Sequence, residues 1–225
     1  MKLAIVIPAH GHQESLNEVI SSIPAPLLQG TFVVDDGSSP ALDAGGANLL
    51  RHAGNRGYGA AQKTGYKAAL DWGADGIAMV HGDNQYCPAS IMAAAGLLER
   101  QDIVLGSRFL ENREEGIPWW RRGGNRLLTT VANKRFGTHF SDLHTGARLF
   151  RAQILAETPV DAFSDDFVFD QQLLLYWVRK GARFLEFPIP PKYGPGVSSI
   201  SFPASVRYGL GCLRLAVEKT MPLPE

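Results

Sequence analysis

At 225 residues the chain has the length of one well-filled domain. Its 45% hydrophobic and 20% charged residues sit near the globular average, which excludes disordered, collagen-like and membrane-embedded classes. Twenty-two basic and twenty-two acidic side chains cancel, so no overall field gathers nucleic acid, and phosphate chemistry must rest on local groups or a metal. Cys87 and Cys212 are the only cysteines. Without paired spacing they support neither a disulfide framework nor a thiolate zinc site, and both are read as small buried hydrophobes. The apolar run after Met1 is too short for a signal-peptide core, and no stretch reaches the roughly eighteen apolar residues of a membrane span. A cytoplasmic protein is expected.

Leu3–Ile7 and Thr31–Val34 are short β-branched runs bounded by Pro, Gly and Asp, the pattern of strands buried on both faces. Between them Leu16, Val19, Ile20 and Ile23 recur at helical spacing, giving strand, helix, strand. The alternation continues with a strand at 48–52, a helix over 57–72, a strand at 76–80, a helix over 89–100 and a strand at 102–106. Glu111–Gly116 reads as a polar loop and Trp119–Phe136 as a helix. Strands are expected at 147–150 and 184–189, separated by a helix over 167–180. Pro188, Pro190, Pro191 and Pro195 then stop regular structure before a last amphipathic helix at 204–219. With no repeat or linker, the expectation is one α/β domain over 1–225, built on a mainly parallel sheet flanked by helices.

In an open parallel sheet, ligands bind beyond the carboxyl ends of the strands. Polar groups gather there four times: Pro8-Ala9-His10-Gly11-His12, Asp35-Asp36-Gly37-Ser38-Ser39, His81-Gly82-Asp83-Asn84-Gln85 and Ser107-Arg108. Asp35 and Asp36 admit two readings, a turn with a helix cap or carboxylates that accept from a nucleobase N–H or a ribose hydroxyl. His81, Asp83 and Gln85 alternate and so can share one pocket, where Asp83 and Gln85 suit a hard divalent cation that keeps positions for phosphate and water; the alternative is bonding within the loop. Gly57-Tyr58-Gly59-Ala60-Ala61-Gln62-Lys63-Thr64 approaches both a phosphate-binding loop and a dinucleotide fingerprint. Gln62 breaks each of them, and the segment follows the third strand instead of the first.

Taken in order, Ile5-Val6-Ile7-Pro8-Ala9, Val33-Val34-Asp35-Asp36-Gly37-Ser38, Asn55-Arg56-Gly57-Tyr58-Gly59-Ala60, Gly82-Asp83-x-Gln85, Gly106-Ser107-Arg108-Phe109, Asp142-x-x-Thr145-Gly146-x-Arg148-Leu149-Phe150 and Glu186-x-Pro188-Ile189 resemble the family 2 glycosyltransferases of GT-A fold. The branch they look most like is the dolichyl- or polyprenyl-phosphate sugar transferases. The resemblance implies a Rossmann-like GT-A domain, with about 1–108 as the nucleotide-binding part and about 109–225 as the acceptor-binding part. It implies an inverting transfer from a nucleotide-sugar donor to a lipid-phosphate or other cell-envelope acceptor, assisted by Mg2+ or Mn2+. Pro8, Ala9, His10, His12, Asp35, Asp36, Gly59 and Gly82 would form the nucleotide site. Asp83 and Gln85 would match the end of the family's metal motif, with His81 in place of its first aspartate and therefore an imidazole ligand candidate that favours manganese.

Asp83, Arg108 and Asp142 are the catalytic candidates. A diphosphate leaves only if its charge is neutralised, which a metal on Asp83 and the Arg108 cation can do. A phosphate acceptor needs no strong base, whereas a hydroxyl acceptor would draw on Asp142, Asp165, Asp166 or Asp170. Arg121, Arg122, Arg126 and Arg148 are expected at the acceptor, the first three clamping its phosphate or lying as a solvated basic face. Trp119 and Trp120 read as lipid-surface residues or core anchors, and the stripe Tyr208, Leu210, Leu213, Val217 as packing or peripheral membrane contact at the inner face. His12 stands where the lipid-phosphate branch usually has Glu, and Ser198-Ser199 where some members place a Lys. Two other functions compatible with these residues are transfer to a glycan or glycolipid hydroxyl and nucleotide-sugar binding without turnover.

Overall fold

The computed structural model describes residues 1–112, 117–192 and 202–217. Among them one sheet of seven strands runs in the order β3-β2-β1-β4-β6-β5-β7. Its strands are β1 Leu3–Ala9, β2 Thr31–Asp35, β3 Asn48–Arg51, β4 Gly76–Met79, β5 Ile103–Ser107, β6 Arg148–Arg151 and β7 Phe184–Pro188. All neighbouring pairs are parallel except those of β6, which lies antiparallel to both β4 and β5. The mixed, mainly parallel sheet anticipated from the sequence is therefore present, and its one reversed strand comes from the 109–225 part of the chain. That part supplies β6 inside the sheet and β7 at its edge, so both parts build one sheet.

The period of two along β1 sends Ala4 and Val6 into one core cluster and Ile5 and Ile7 into the other, so each face of the sheet needs a helical cover. On the Val6 face lie α2 (Tyr58–Asp71) and α6 (Phe169–Arg179), through Tyr66, Ala69, Phe169, Leu173 and Leu174. On the Ile5 face lie α1 (Gln13–Ser21), through Leu16, Val19 and Ile20, and α3 (Pro88–Ala93), through Ile91. Each such fully buried aliphatic chain contributes about 1.5–3 kcal/mol of transfer free energy. Gly65 lets α2 approach β1, since a Cβ there would collide with Val6. The remaining helices are α4 (Trp119–Phe136), α5 (Ala152–Ala156) and α7 (Phe202–Val217).

Several sequence expectations are corrected in detail. The helix expected over 89–100 ends at Ala93 and tightens into a 3-10 turn over Ala94–Glu99, which still buries Ala95 and Leu98 against the sheet. Cys212 is buried but Cys87 is half-exposed, because it precedes α3 at a loop instead of entering the core. Trp119 is 79% exposed, so it is no core anchor. Residues 113–116 of the expected polar loop, Pro195, Ser198-Ser199 and residues 218–219 of the expected C-terminal helix lie outside the described residues, as does the side chain of Val217.

Candidate functional site

Parallel β1, β2, β4 and β5 end on the same rim, and there the structure opens a cavity of about 650 Å3. Its wall takes Pro8 to His12 from the end of β1, His81, Gly82, Asp83 and Gln85 from the end of β4, and Arg108 from the end of β5. His144, Thr145, Gly146 and Arg148 enter from the loop into β6 and its first residue. Tyr58 stands at the start of α2, and α4 and α7 close the far side with Trp120, Arg121, Leu127, Leu128, Tyr208, Leu210 and Leu213. The strand-end rule thus brings together three of the four polar clusters. The fourth, Asp35-Asp36, is absent from the wall.

The reason lies in what those two carboxylates hold. Asp35 accepts the N–H of Ser38 at 2.8 Å and that of Leu42 at 3.2 Å, with Arg51 at 3.5 Å. Burial pushes its pKa up, but the Ser38 and Leu42 bonds and Arg51 hold it below the usual value. Asp36 accepts from His52 Nδ1 at 2.6 Å and from the N–H groups of Arg56 and Gly57 at 2.9 and 2.8 Å. Both side chains therefore hydrogen-bond within the segment that leads toward α2. His10 joins the same loop, its Nδ1 lying 2.9 Å from the Asp36 carbonyl oxygen. Gly59 is off the cavity wall, its N–H donating to Asp165 O at 2.7 Å beneath the 164–169 segment. Gln62, which broke the phosphate-loop pattern, is buried and links the Tyr66 hydroxyl to the Asp170 carboxylate.

At the end of β4, Asn84 adopts a left-handed φ of 57° and turns the chain. Asp83 Oδ1 accepts the Gln85 N–H at 3.0 Å, while Oδ2 has His81 Nδ1 at 3.8 Å. Burial raises the Asp83 pKa, but His81 and the Gln85 N–H outweigh it and keep the group below the usual value, so it is a carboxylate at neutral pH. The other ring nitrogen of His81 sits 2.7 Å from the Tyr58 hydroxyl, and Tyr58 stacks on Phe167 at 4.9 Å. One His81 nitrogen thus meets the Tyr58 hydroxyl and the other lies near the Asp83 carboxylate. No cluster of three His, Cys, Asp or Glu suited to a metal occurs among the described residues. The donor set fits the other mode of divalent binding, one carboxylate with a neighbouring amide and the remaining positions left to substrate phosphate and water.

Arg108 is held bidentately by Asp142, Nε to Oδ2 at 2.7 Å and NH2 to Oδ1 at 2.9 Å, and its NH2 also donates to His144 O at 3.1 Å. Asp142 is fully buried and off the cavity wall. Burial would raise its pKa, but Arg108 holds it below the usual carboxylate value, and as a carboxylate it grips the Arg108 guanidinium. Arg148, 1% exposed, pairs with Asp170 at the cavity floor. Of Arg121, Arg122 and Arg126 on α4, only Arg121 reaches the wall, lying 4.9 Å over the Trp120 ring; Arg122 and Arg126 are exposed beyond it. Sequence reading missed His144, whose Nδ1 sits 2.7 Å from the Tyr208 hydroxyl of α7 and whose pKa burial pushes down to about 4. It also missed Tyr58. Each lies inside a matched motif, yet only its contact across the fold shows its place.

A mainly parallel sheet with one reversed strand, and a strand-end cavity holding the Asp83 carboxylate near arginines, define the GT-A type of transferase fold. The profile of glycosyl transferase family 2 matches residues 4–158, and the chain belongs to that family and is a glycosyltransferase. It is 23% identical over 205 residues to undecaprenyl-phosphate mannosyltransferase of Micrococcus luteus, covering 84% of this chain and 83% of that one. To polyprenol monophosphomannose synthase of Mycolicibacterium smegmatis it is 22% identical over 199 residues, covering 82% and 75%. Among solved structures, glucosyl-3-phosphoglycerate synthase from Mycobacterium tuberculosis with Mn2+, UDP and glucosyl-3-phosphoglycerate superposes with a TM-score of 0.70 at 16% identity, over 100% of this chain and 81% of that one. The same enzyme with Mg2+ and UDP gives 0.71 at 17%, over 100% and 80%. These superpositions establish the shared fold.

Proposed function

We propose that the protein transfers a sugar, with inversion, from a nucleoside-diphosphate donor to the phosphate of a polyprenyl phosphate. The observation that carries the choice of acceptor is the state of the four candidate bases. Asp142 is paired with Arg108 and Asp170 with Arg148, Asp165 binds Lys63 at 2.8 Å, and Asp166 caps the turn through Ser164 and the Val168 N–H. Only Asp170 reaches the wall. A hydroxyl acceptor needs a base to take its proton, whereas a phosphate monoester arrives already ionised. The apolar mouth formed by Leu127, Val206 and Leu210, which are 61%, 46% and 63% exposed, suits a polyprenyl chain. The mannosyltransferases named above support the same acceptor class.

In this reading Pro8, His10, His12 and Gly82 border the nucleotide, and Asp36 acts at one remove by fixing the loop beside it. Asp83 and Gln85 would hold Mg2+ or Mn2+, which supplies positive charge to the departing diphosphate. Arg108 adds a second cation, pre-aimed by Asp142. Arg121 and Arg148 serve the acceptor side. Labelled UDP-glucose and GDP-mannose, incubated with undecaprenyl phosphate and MnCl2, give an organic-soluble labelled product if the reading is right. Label transferred only to a water-soluble glycan, or donor binding with no turnover, overturns it.

The same reading puts the α4–α7 face against a membrane. Among the described residues no helix is long and apolar enough to cross one, so contact would be peripheral. Trp119, Leu127, Val206 and Leu210 are exposed around the mouth. Residues 109–137 hold six Arg or Lys against three Glu, and 202–217 hold two Arg and no acid, in a chain whose totals cancel. Trp119→Ser with Leu210→Ser should weaken co-sedimentation with phosphatidylglycerol vesicles by about tenfold, and equal binding by the double variant removes the membrane role.

A further inference from the structure

Glu186 of β7 belongs to a matched motif that no step above uses, yet its carboxylate is among the most heavily bonded in the structure. It accepts the Ser141 N–H at 2.9 and 3.0 Å, the Ser141 hydroxyl at 2.9 Å and the Asp142 N–H at 3.0 Å. Ser141 Oγ also lies 2.6 Å from Ser107 Oγ. A carboxylate only accepts, so the Ser141 hydroxyl is spent as a donor to Glu186, and the Ser107 hydroxyl must donate to Ser141. Ser107 Oγ in turn accepts the Phe109 N–H at 3.2 Å. The direction of the whole chain is therefore fixed: Phe109 N–H, Ser107, Ser141, Glu186.

This chain reaches Arg108 from both ends. Ser107 and Phe109 flank Arg108 along the backbone, and the chain ties both neighbours to Glu186. Asp142, whose N–H Glu186 holds, grips the guanidinium through Nε and NH2 and also accepts the Arg108 N–H at 3.2 Å. Register reinforces the arrangement, since β5 and β7 pair Leu105 with Glu186 and Ser107 with Pro188, which sets the carboxylate beside the exit of β5. Glu186 itself is absent from the cavity wall. We infer that Glu186 is a positioning residue for Arg108, fixing the backbone that carries the side chain and the carboxylate that aims it. The inference rests on the proposed action of Arg108 upon the diphosphate.

The experiment is a double-mutant cycle with a second readout that needs no substrate. Glu186→Gln turns one acceptor oxygen into an NH2 group facing the Ser141 N–H, with little change in volume. Transfer from GDP-mannose or UDP-glucose to undecaprenyl phosphate should fall about tenfold in kcat with little change in acceptor KM, and the same substitution placed on Arg108→Lys should cost less than about twofold more. In parallel, 15N-edited arginine spectra of the whole protein should show the Arg108 Nε–H exchanging about tenfold faster in Glu186→Gln than in the parent. Asp102→Asn, which breaks the Arg183 pair at the far end of β5 and β7, serves as the stability control and should leave both readouts unchanged. Multiplicative losses in the cycle, or unaltered Nε–H exchange, overturn the inference. If the parent enzyme transfers from neither donor, the reading of function fails while the exchange measurement still decides the role of Glu186.

Discussion

Asp36 and Asp83 follow the ends of two strands that flank β1 in the same sheet, and both sit in acidic loop motifs, yet their carboxylates are used in opposite ways. Asp36 is enclosed by one imidazole and two backbone N–H groups, with both oxygens occupied. Asp83 commits one oxygen to the Gln85 N–H and turns the other toward His81 at the edge of the cavity. The difference comes from what the chain does next. After β2 the chain runs through β3 before α2 begins at Tyr58, and the His52 ring and the N–H groups of Arg56 and Gly57 converge on Asp36. After β4 a single left-handed residue, Asn84, turns the chain at once and leaves Asp83 on the wall.

The sharpest test of that contrast is Asp83→Asn, which should lower transfer by about 10²–10³-fold, as expected when a group that neutralises developing charge is lost. Its melting temperature should barely move. Asp36→Asn should do the reverse in kind, since it sets an amide NH2 against donors that are already buried. A loss of about 2–3 kcal/mol would lower the melting temperature by about 4–10 °C, read by calorimetry, with catalysis in the surviving folded fraction reduced less than in Asp83→Asn. Equal losses of activity in both variants without a thermal difference would break the comparison.

His144 combines both situations, being on the wall and yet buried, and it gives the smallest expected effect. Its folded pKa is pushed down to about 4, so between the ordinary histidine value and 4 the unfolded chain binds the extra proton. The stability it contributes is complete above about pH 6.5 and drains away as the pH falls toward 4. The melting temperature should therefore drop by several degrees more in the parent than in His144→Gln over that interval, to about the extent a single titrating group allows. Parallel melting curves for the two proteins would show that the imidazole is not held neutral by its surroundings.

Much of the fold was legible because apolar runs, their spacing and their punctuation report strands and helices directly. The short run at 147–150 shows where its limit lies: nothing in Ala147-Arg148-Leu149-Phe150 encodes direction, and only the pairing of β6 with β4 and β5 shows it to be antiparallel. At the site, the alternation of His81, Asp83 and Gln85 was readable from a period of two. The burial of Asp142 beneath Arg108 was not, since 34 residues separate the partners. The engagement of His81 by Tyr58, 23 residues away, is likewise a property of packing that a one-dimensional pattern does not carry.

The reversed strand also governs how the molecule is made. Until residues 148–151 emerge from the ribosome, β4 presents an unpaired edge and β5 has no neighbour through which to join the sheet. A nascent chain of about 1–108 therefore holds most of the ligand-facing rim but an open, apolar strand border of the sort that invites aggregation. Residues 148–151 close that border, so the strands of one sheet are drawn from both parts of the chain.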